Sequence, residues 1–198
     1  FVGIPGTIDN DIYGTDYTIG YDTALNTVVE AVDKIRDTAG SHNRLFFIEV
    51  MGRDAGFIAL SSGIACGAEA ILIPEVHGQV SNLKEYLRKD FKRTKSSNII
   101  IVAEGNESGG AFAIAENVKD DFKDFDVRVS ILGHIQRGGT PSAHDRVTGG
   151  KLGFAAVEAL MDDQKSIMVG YHNNEIDQVP FRKVIKHQKN VDPDQLQM

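Results

Sequence analysis

The stretch LFFIEV, residues 45–50, is short and almost wholly apolar, which is the pattern of a strand buried on both faces of a sheet. Before it, the segment YDTALNTVVEAVDKIRDTAG (21–40) repeats apolar residues at the three- and four-residue spacing of one helix face, and Gly40 suits a helix end. After it, helical and apolar strand patterns go on alternating along the chain. Such alternation predicts an α/β fold in which helices cover both faces of a parallel sheet.

The same two patterns extend over most of the remaining sequence. Residues 45–50, 70–74 and 99–103 should form neighbouring parallel strands, so we predict a three-layer α/β/α sandwich with the sheet in the middle layer. The other expected helices cover 55–65, about 81–95, 110–122 and about 144–161, and the other expected strands are AILIPE (70–75), NIIIVAE (98–104), VRVSIL (127–132) and SIMVGYH (166–172).

Charge and cysteine content exclude several classes of protein. The net charge of −7 argues against a broad surface for nucleic acid or anionic membrane, because both partners require concentrated positive charge. Cys66 is the only cysteine, which excludes an intramolecular disulfide and a zinc site built from cysteines. We find no signal-peptide pattern and no uncharged stretch long enough to cross a bilayer. We therefore expect a cytoplasmic protein.

Polar residues follow four of the apolar segments, at the points where ligands collect in parallel sheets. Taken singly they have simple explanations, since an aspartate after a strand often caps a turn and a lone arginine is usually a solvated surface residue. Their convergence at one edge of a sheet predicts a functional site. The residues are Thr7, Asp9 and Asp11 in GIPGTIDND (3–11), then Met51, Gly52 and Arg53, then Glu104 and Gly105, and finally His134, Gln136, Arg137, Gly138 and Gly139.

Three of these motifs occur together in one known family. PGTIDND (5–11), MGRDAG (51–56) and GHIQRGG (133–139), with GTDYTIGYDTAL (14–25), resemble the 6-phosphofructokinase family, in its bacterial ATP-dependent form. Since Phe1 is not an initiator methionine, the resemblance implies a C-terminal fragment of a homotetrameric enzyme, without the glycine-rich segment that grips the nucleotide. It also implies a phosphofructokinase-like fold, with a substrate- and effector-binding domain over 21–135 and about 181–198, and a remnant of the nucleotide-binding domain over 1–20 and 136–180.

The family's reaction transfers the γ-phosphoryl group of ATP to the 1-hydroxyl of fructose 6-phosphate and gives fructose 1,6-bisphosphate. Such a transfer requires a group that takes the hydroxyl proton and positive charge around the phosphoryl group. The resemblance assigns the proton to Asp9, support of the phosphoryl group to Thr7, its charge to Arg53 and a position near Mg²⁺ to Asp11. Alternation in an extended segment should point Thr7, Asp9 and Asp11 the same way.

Two simpler interpretations of these side chains remain open. Asp9 and Asp11 could only cap the turn, and Arg53 could only pair with Glu49 or Asp54. On the family pattern we expect the catalytic roles, and we expect the fragment by itself to bind the sugar phosphate weakly and to transfer no phosphoryl group.

The resemblance also implies a binding site for the sugar phosphate. His134, with Arg44 and Arg128 from a neighbouring subunit, would bind the 6-phosphate, while Glu104 and Arg137 would hold the sugar hydroxyls. As lone arginines, Arg44 and Arg128 could instead be ordinary surface residues. The full set of substrate-binding residues is Thr7, Ile8, Asp9, Arg44, Met51, Gly52, Arg53, Glu104, Arg128, His134 and Arg137.

A second anion site between subunits is implied for a nucleotide effector. One matching position carries Ser97 where a histidine can occur, and the basic stretch RKDFKRTK could simply be a solvated helix face. The effector residues implied by the resemblance are Arg36, Gly67, Glu69, Arg93 and Lys95.

Two alternatives concern the donor and the activity. Pyrophosphate-dependent members tend to carry lysine where this chain has Gly6, so PGTIDND indicates ATP as the donor. A non-catalytic subunit that only binds a sugar phosphate would need neither a base nor a cation for the transition state. The presence of Asp9 and Arg53 therefore favours an enzyme over that alternative.

Overall fold

The central sheet consists of four parallel strands in the order β5–β6–β4–β7. The computed structural model describes residues 1–38, 44–90, 97–123 and 125–197. The strands of this sheet are β4 (Arg44–Val50), β5 (Ala70–Leu72), β6 (Ser97–Ala103) and β7 (Asp126–Ile131), and the helices around it are α1 (Tyr21–Thr38), α2 (Phe57–Cys66), α3 (Gln79–Asp90) and α4 (Gly110–Lys119).

Alternate residues of the middle strands supply two separate cores, one on each face of the sheet. In β4, Phe46, Ile48 and Val50 pack with α1 and α2, whereas Leu45 and Phe47 pack with α3 and α4. Strand β6 divides its side chains between the two cores in the same way. Since both faces are covered by helices, both strands are apolar along their length. The predicted three-layer sandwich is confirmed, including the neighbouring parallel strands.

A second sheet has the order β1–β8–β9 and packs against the long helix α5, while β2 and β3 form a separate parallel pair. Strand β8 is parallel to β1 and antiparallel to β9. The elements are β1 (Val2–Gly3), β2 (Gly6–Thr7), β3 (Ile19–Gly20), α5 (Ala143–Met161), β8 (Ile167–His172), β9 (Glu175–Pro180) and α6 (Phe181–Lys186), with short 3₁₀ helices at Gly133–Arg137 and Gln195–Gln197.

The antiparallel strand β9 corrects the expectation of parallel strands alone. The first four residues of β9 are exposed, so it lacks the apolar pattern by which the other strands were predicted. The turn before it contains Asn173 and Asn174, both with positive φ, which is the backbone of a tight hairpin connection. Helix α3 is also described only to Asp90, and both the end of the predicted helix at 91–95 and the predicted stop at Gly40 lie outside the described residues.

A buried carboxylate joins α5 to the start of α1. Asp145 accepts hydrogen bonds from the backbone N–H groups of Gly20 and Thr23, each at 2.8 Å, and from the Thr23 hydroxyl. It therefore satisfies free N–H groups at the first turn of α1. Near the end of the chain, Val191 is buried in the core shared with α1 and α2. The division of the chain into two domains stays a prediction.

In the part of the chain that the structure describes, no helix has the length and apolar character needed to cross a membrane.

Candidate active site

The segment after β2 is a bent turn, which corrects the expectation of an extended array. The chain bends at Ile8 and Asp9, and Asn10 has a φ of +55°. The hydroxyl of Thr7 accepts the Asp9 N–H at 3.2 Å, so the backbone folds back on itself directly after the strand. As a result Asp9 is buried while Asp11 is exposed, although Thr7 and Asp11 both lie close enough to act on the Asp9 carboxyl.

Asn10 holds this turn in place, a role that the sequence interpretation missed. Its Oδ1 accepts the backbone N–H of Thr18 at 2.9 Å, and its Nδ2 donates to the carbonyl of Asp16 at 3.1 Å. Asparagine tolerates positive φ better than most residues and can bond neighbouring backbone, which explains its place between Asp9 and Asp11. The signal in the sequence was the asparagine of TIDND, but its partners lie in the following segment.

Asp9 lies in an environment that disfavours its charge. Burial raises its pKa, the neighbouring Asp11 raises it further, and the opposing effects of Arg53, Arg137 and the Thr7 hydroxyl do not cancel this increase. Its Oδ1 is buried without a hydrogen-bond partner among the described residues. Its Oδ2 lies 3.9 Å from Nε of Arg53. A buried carboxylate with an unused oxygen is suited to accept a proton from a bound hydroxyl group.

The turn of Met51, Gly52 and Arg53 is held by side chains from two other strand ends. The Met51 N–H donates to Oε1 of Gln136 at 3.2 Å, and the Gly52 and Arg53 N–H groups donate to Oε1 of Glu104 at 3.2 and 2.8 Å. Both Gly52 and Arg53 have positive φ. The turn directs the Arg53 side chain, which is 72% exposed, away from the sheet and beside Asp9.

Arg53 therefore pairs with Asp9, not with either acid proposed in the simpler interpretation. Glu49 instead accepts the Ala111 N–H at 2.7 Å, at the start of α4. Asp54 is exposed. The alternative ion pair of Arg53 with Glu49 or Asp54 is thus not formed among the described residues, where the guanidinium lies beside Asp9 in the segment after β2.

The 3₁₀ helix Gly133–Arg137 follows β7 and completes this edge of the sheet. His134 and Arg137 are exposed, and Arg137 lies close enough to act electrostatically on Asp9. Gln136, between them, is buried, and its Nε2 donates to the Gly133 carbonyl at 3.0 Å. The structure therefore brings Thr7 and Asp9, which follow the separate pair β2–β3, to Met51, Gly52, Arg53, Glu104 and Arg137 at the ends of the central sheet, with Ile8 in the first turn and His134 in the 3₁₀ helix.

Arg44 and Arg128 lie elsewhere in the chain. Both pair with Asp126, at 3.7 Å for Arg44 and 2.9 Å for Arg128. Arg44 begins β4 and Met51 follows its seventh and last residue, so the two are separated by about 23 Å at a strand rise of about 3.3 Å per residue. One chain by itself does not bring Arg44 to Asp9.

Three of the residues predicted for an effector lie near the end of α2. Arg36 donates to the carbonyl of Cys66, which precedes Gly67, and Gly67 ends the helix with a φ of +59°. Glu69 directly precedes β5 at the sheet edge, and its N–H donates to the Ile99 carbonyl at 2.8 Å. Arg93 and Lys95 lie outside the described residues.

The described residues contain no group of three or more histidine, cysteine, aspartate or glutamate side chains placed to bind one ion. Asp11 is exposed, and it lies close enough to Asp9 to raise the pKa of Asp9. A single exposed carboxylate fits Mg²⁺ bound largely by water and substrate phosphates, which is the usual arrangement for this ion in phosphoryl-transfer sites.

Comparison with known proteins agrees with this geometry. The family model described as Phosphofructokinase matches residues 1–160. The chain is 58% identical over 193 residues to "ATP-dependent 6-phosphofructokinase 2" of Bacteroides thetaiotaomicron, a match that covers 98% of this chain and 59% of the relative. It is 51% identical over 190 residues to "ATP-dependent 6-phosphofructokinase 1" of Thermus thermophilus, with 96% and 59% covered. The chain thus spans about 59% of the length of these curated relatives.

Solved structures show the same architecture. The phosphofructokinase from Saccharomyces cerevisiae superposes with a TM-score of 0.86 at 35% identity, over 93% of this chain and 26% of that one. A pyrophosphate-dependent phosphofructokinase from Nitrosospira multiformis superposes with a TM-score of 0.81 at 22% identity, over 97% and 54%, and this match concerns the fold alone. With a family model covering most of its length, the chain belongs to the phosphofructokinase family.

Proposed function

We propose that the protein containing this chain transfers the γ-phosphoryl group of ATP to the 1-hydroxyl of fructose 6-phosphate. The observation that carries the proposal is the pair of Asp9 and Arg53, in which a buried carboxylate with an unused oxygen lies 3.9 Å from an exposed guanidinium. A base and a cation in contact are what phosphoryl transfer to an alcohol requires. A subunit that only bound the sugar phosphate would gain nothing from burying Asp9.

In this proposal Asp9 accepts the proton of the sugar 1-hydroxyl as that oxygen attacks phosphorus. Its raised pKa makes it a better proton acceptor than an ordinary aspartate. Arg53 neutralises charge on the oxygens of the transferring group, and Thr7 supports the same group. Mg²⁺ would be held near Asp11 and would neutralise phosphate charge. ATP as the donor agrees with the names of the two ATP-dependent relatives, whereas Mg²⁺ is proposed from the exposed carboxylate of Asp11.

The sugar phosphate would lie against the Met51–Gly52 backbone. Oε1 of Glu104 already holds the Gly52 and Arg53 N–H groups, so a sugar hydroxyl would be bound by its other carboxylate oxygen. Arg137 would bind a second hydroxyl. His134 would bind the 6-phosphate together with Arg44 and Arg128 of a neighbouring copy, because one chain keeps Arg44 about 23 Å from Met51, at about 3.3 Å per strand residue. The active form is therefore a homo-oligomer, and we propose a tetramer.

Gly6 favours ATP over pyrophosphate as the donor. A Cβ added at Gly6 would meet no heavy atom within 4 Å, so space is open beside the Asp9 turn for a larger donor. A lysine at this position would occupy that space with its own side chain. We also propose a cytoplasmic location and an anionic effector at Arg36, Gly67 and Glu69. Weak sugar-phosphate binding without phosphoryl transfer by these 198 residues alone stays a prediction.

The test replaces Asp9 by serine in the complete natural polypeptide that contains this sequence. Loss of the base should lower kcat by about 10²- to 10⁴-fold and leave the KM for fructose 6-phosphate within a few-fold, since a base acts mainly in the transition state. Formation of fructose 1,6-bisphosphate is followed in a coupled assay with ATP and, separately, with pyrophosphate.

Asp54→Asn is the matched control, because Asp54 is exposed beside Arg53 and its loss removes the same charge without touching the base. It should keep kcat within about two-fold, as surface substitutions usually do. A large rise in KM with kcat preserved in Asp9→Ser would make Asp9 a binding residue and contradict the proposed mechanism.

A further inference from the structure

Gln136 is buried between two exposed residues of the candidate site, His134 and Arg137. It is 1% exposed. Its side-chain amide connects two backbone segments. Oε1 accepts the Met51 N–H at 3.2 Å, and Nε2 donates to the Gly133 carbonyl at 3.0 Å. Burial of a primary amide is unfavourable unless its hydrogen bonds are made, and an apolar side chain would fill the same space at lower cost. These two hydrogen bonds therefore explain why position 136 carries a glutamine and not an apolar residue.

One of these hydrogen bonds is made to the Met51–Arg53 turn, whose backbone conformation depends on contacts with other elements. Three consecutive N–H groups, those of Met51, Gly52 and Arg53, are accepted by side chains that belong to two other strand ends. Arg53 has a φ of +51°, a conformation that costs a non-glycine residue on the order of 1 kcal/mol and persists only where neighbours impose it. The backbone of the turn that carries Arg53 is therefore held by Gln136 and Glu104.

We propose that Gln136 is a positioning residue that couples the sugar-phosphate side of the site, His134 and Arg137, to the phosphoryl side, Arg53. Through one amide, a shift of the 3₁₀ helix moves the Met51 N–H, and with it the turn that carries Arg53. This inference rests on the proposed function, in which Arg53 neutralises charge on the transferring group. Displacement of such a group by about 1 Å lowers the rate by about 10²-fold.

The first variant is Gln136→Leu, which fills the space and removes both hydrogen bonds. We expect kcat to fall about 10- to 100-fold in the complete natural polypeptide, with a smaller change in the KM for fructose 6-phosphate. Gln79→Leu is the matched control. Gln79 makes a comparable pair of bonds, from the Ile73 N–H and to the Ile71 carbonyl, and also accepts from Nδ2 of Asn106 at 3.4 Å, but none of these partners belongs to the Met51–Arg53 turn. It should lose similar stability and keep its kcat within about two-fold.

The second variant, Gln136→Glu, keeps the shape and adds a pH-dependent readout. An ionised glutamate accepts the Met51 N–H but repels the Gly133 carbonyl, whereas a protonated one can make both bonds. The ratio of the kcat of this variant to that of the wild type should therefore rise as the pH falls. Because Asp9 titrates in both proteins, the ratio cancels its contribution. A merely structural role would lower Tm without this recovery.

Hydrogen exchange separates this inference from the proposed function. Amide exchange of Met51, Gly52 and Arg53 should be faster in Gln136→Leu than in the wild type and unchanged in Gln79→Leu. Unchanged exchange in that turn, or an equal loss of kcat in both variants, would overturn the positioning role. If the wild type itself forms no bisphosphate from ATP, the proposed function fails, while the exchange data still decide whether Gln136 holds the turn. Gln136→Glu supplies the same comparison if the leucine variant does not fold.

Discussion

At the scale of single residues, the role proposed for Asp9 carries a cost in stability. Burial disfavours its ionised form in the folded protein, so its pKa is raised relative to that in the unfolded chain. A raised aspartate pKa stabilises the fold at acid pH, and that contribution is lost as the pH rises through the folded-state value. Near neutral pH the folded protein therefore retains an unfavourable charge at this position, which is typical of functional sites.

Replacing Asp9 by asparagine should therefore raise Tm at pH 7 to 8 while turnover is lost, because the buried charge is removed and the side-chain shape is kept. The difference in Tm should shrink as the pH falls through the raised pKa of Asp9 and be smallest below about pH 4, where the unfolded chain also protonates this residue. Calorimetric unfolding across this pH range measures the effect. Asp54→Asn, at an exposed position, should leave Tm nearly unchanged. A lower Tm for Asp9→Asn at neutral pH would show that Arg53 and Arg137 outweigh burial.

At the scale of elements, the site depends on how closely two connections approach each other. The connection from β6 to α4 passes under the one from β4 to α2, and a Cβ added at Gly105 would lie only 1.9 Å from the carbonyl oxygen of Arg53. A clash with a backbone atom at that distance cannot be relieved by rotating a side chain. Glu104, the preceding residue, can reach the Gly52 and Arg53 N–H groups only because the two backbones pack this tightly.

Gly105→Ala should therefore displace the Arg53 turn, cost about 1 to 3 kcal/mol in the free energy of unfolding and lower kcat about 10-fold or more. Denaturant unfolding and steady-state kinetics measure the two effects. The control is Gly150→Ala in the interior of α5, where an added Cβ meets open space. That variant should gain up to about 1 kcal/mol from helix propensity. A stable, fully active Gly105→Ala protein would mean that the turn does not need this contact.

At the scale of the whole molecule, we expect two chains to build each active site. Arg128 pairs with Asp126 on β7, the edge strand of the central sheet, and Asp9 lies in the turn after β2. If a neighbouring copy supplies Arg128, two inactive variants can complement each other. A hybrid of Asp9→Ser and Arg128→Ala chains contains one site with both residues intact, because symmetric oligomers place the same surface against each neighbour.

Mixing the two variants under conditions that exchange subunits should therefore restore activity well above the sum of the separate proteins. The control mixes Asp9→Ser with Arg53→Ala. These two residues come from the same chain, at 3.9 Å, so every site in a hybrid keeps one defect and no activity should return. Equal activity in both mixtures would place Arg128 in its own chain's site or outside the site altogether.

Much of the architecture could be predicted from the local hydrophobic pattern of the sequence. The apolar runs of β4 and β6 and the helical spacing of α1 predicted the central sheet and its layers, because burial on both faces leaves a continuous apolar signature. The motifs at the strand ends likewise predicted which residues meet at the site. Strand β9 escaped prediction because its exposed side chains carry no such signature.

What only the tertiary structure decided is the environment of each polar group. Asp9 and Asp11 stand two positions apart in one motif, yet one is buried beside Arg53 and the other is exposed. Gln136 meets the Met51 N–H across 85 residues of sequence, and no periodicity encodes that contact. Hydrophobic spacing is a property of neighbours along the chain, so the sequence by itself determined the family and the apolar elements, but not strand β9. The burial, the pKa and the hydrogen-bond partners of a side chain depend on which distant parts of the backbone pack against it. Only the tertiary structure determines that packing.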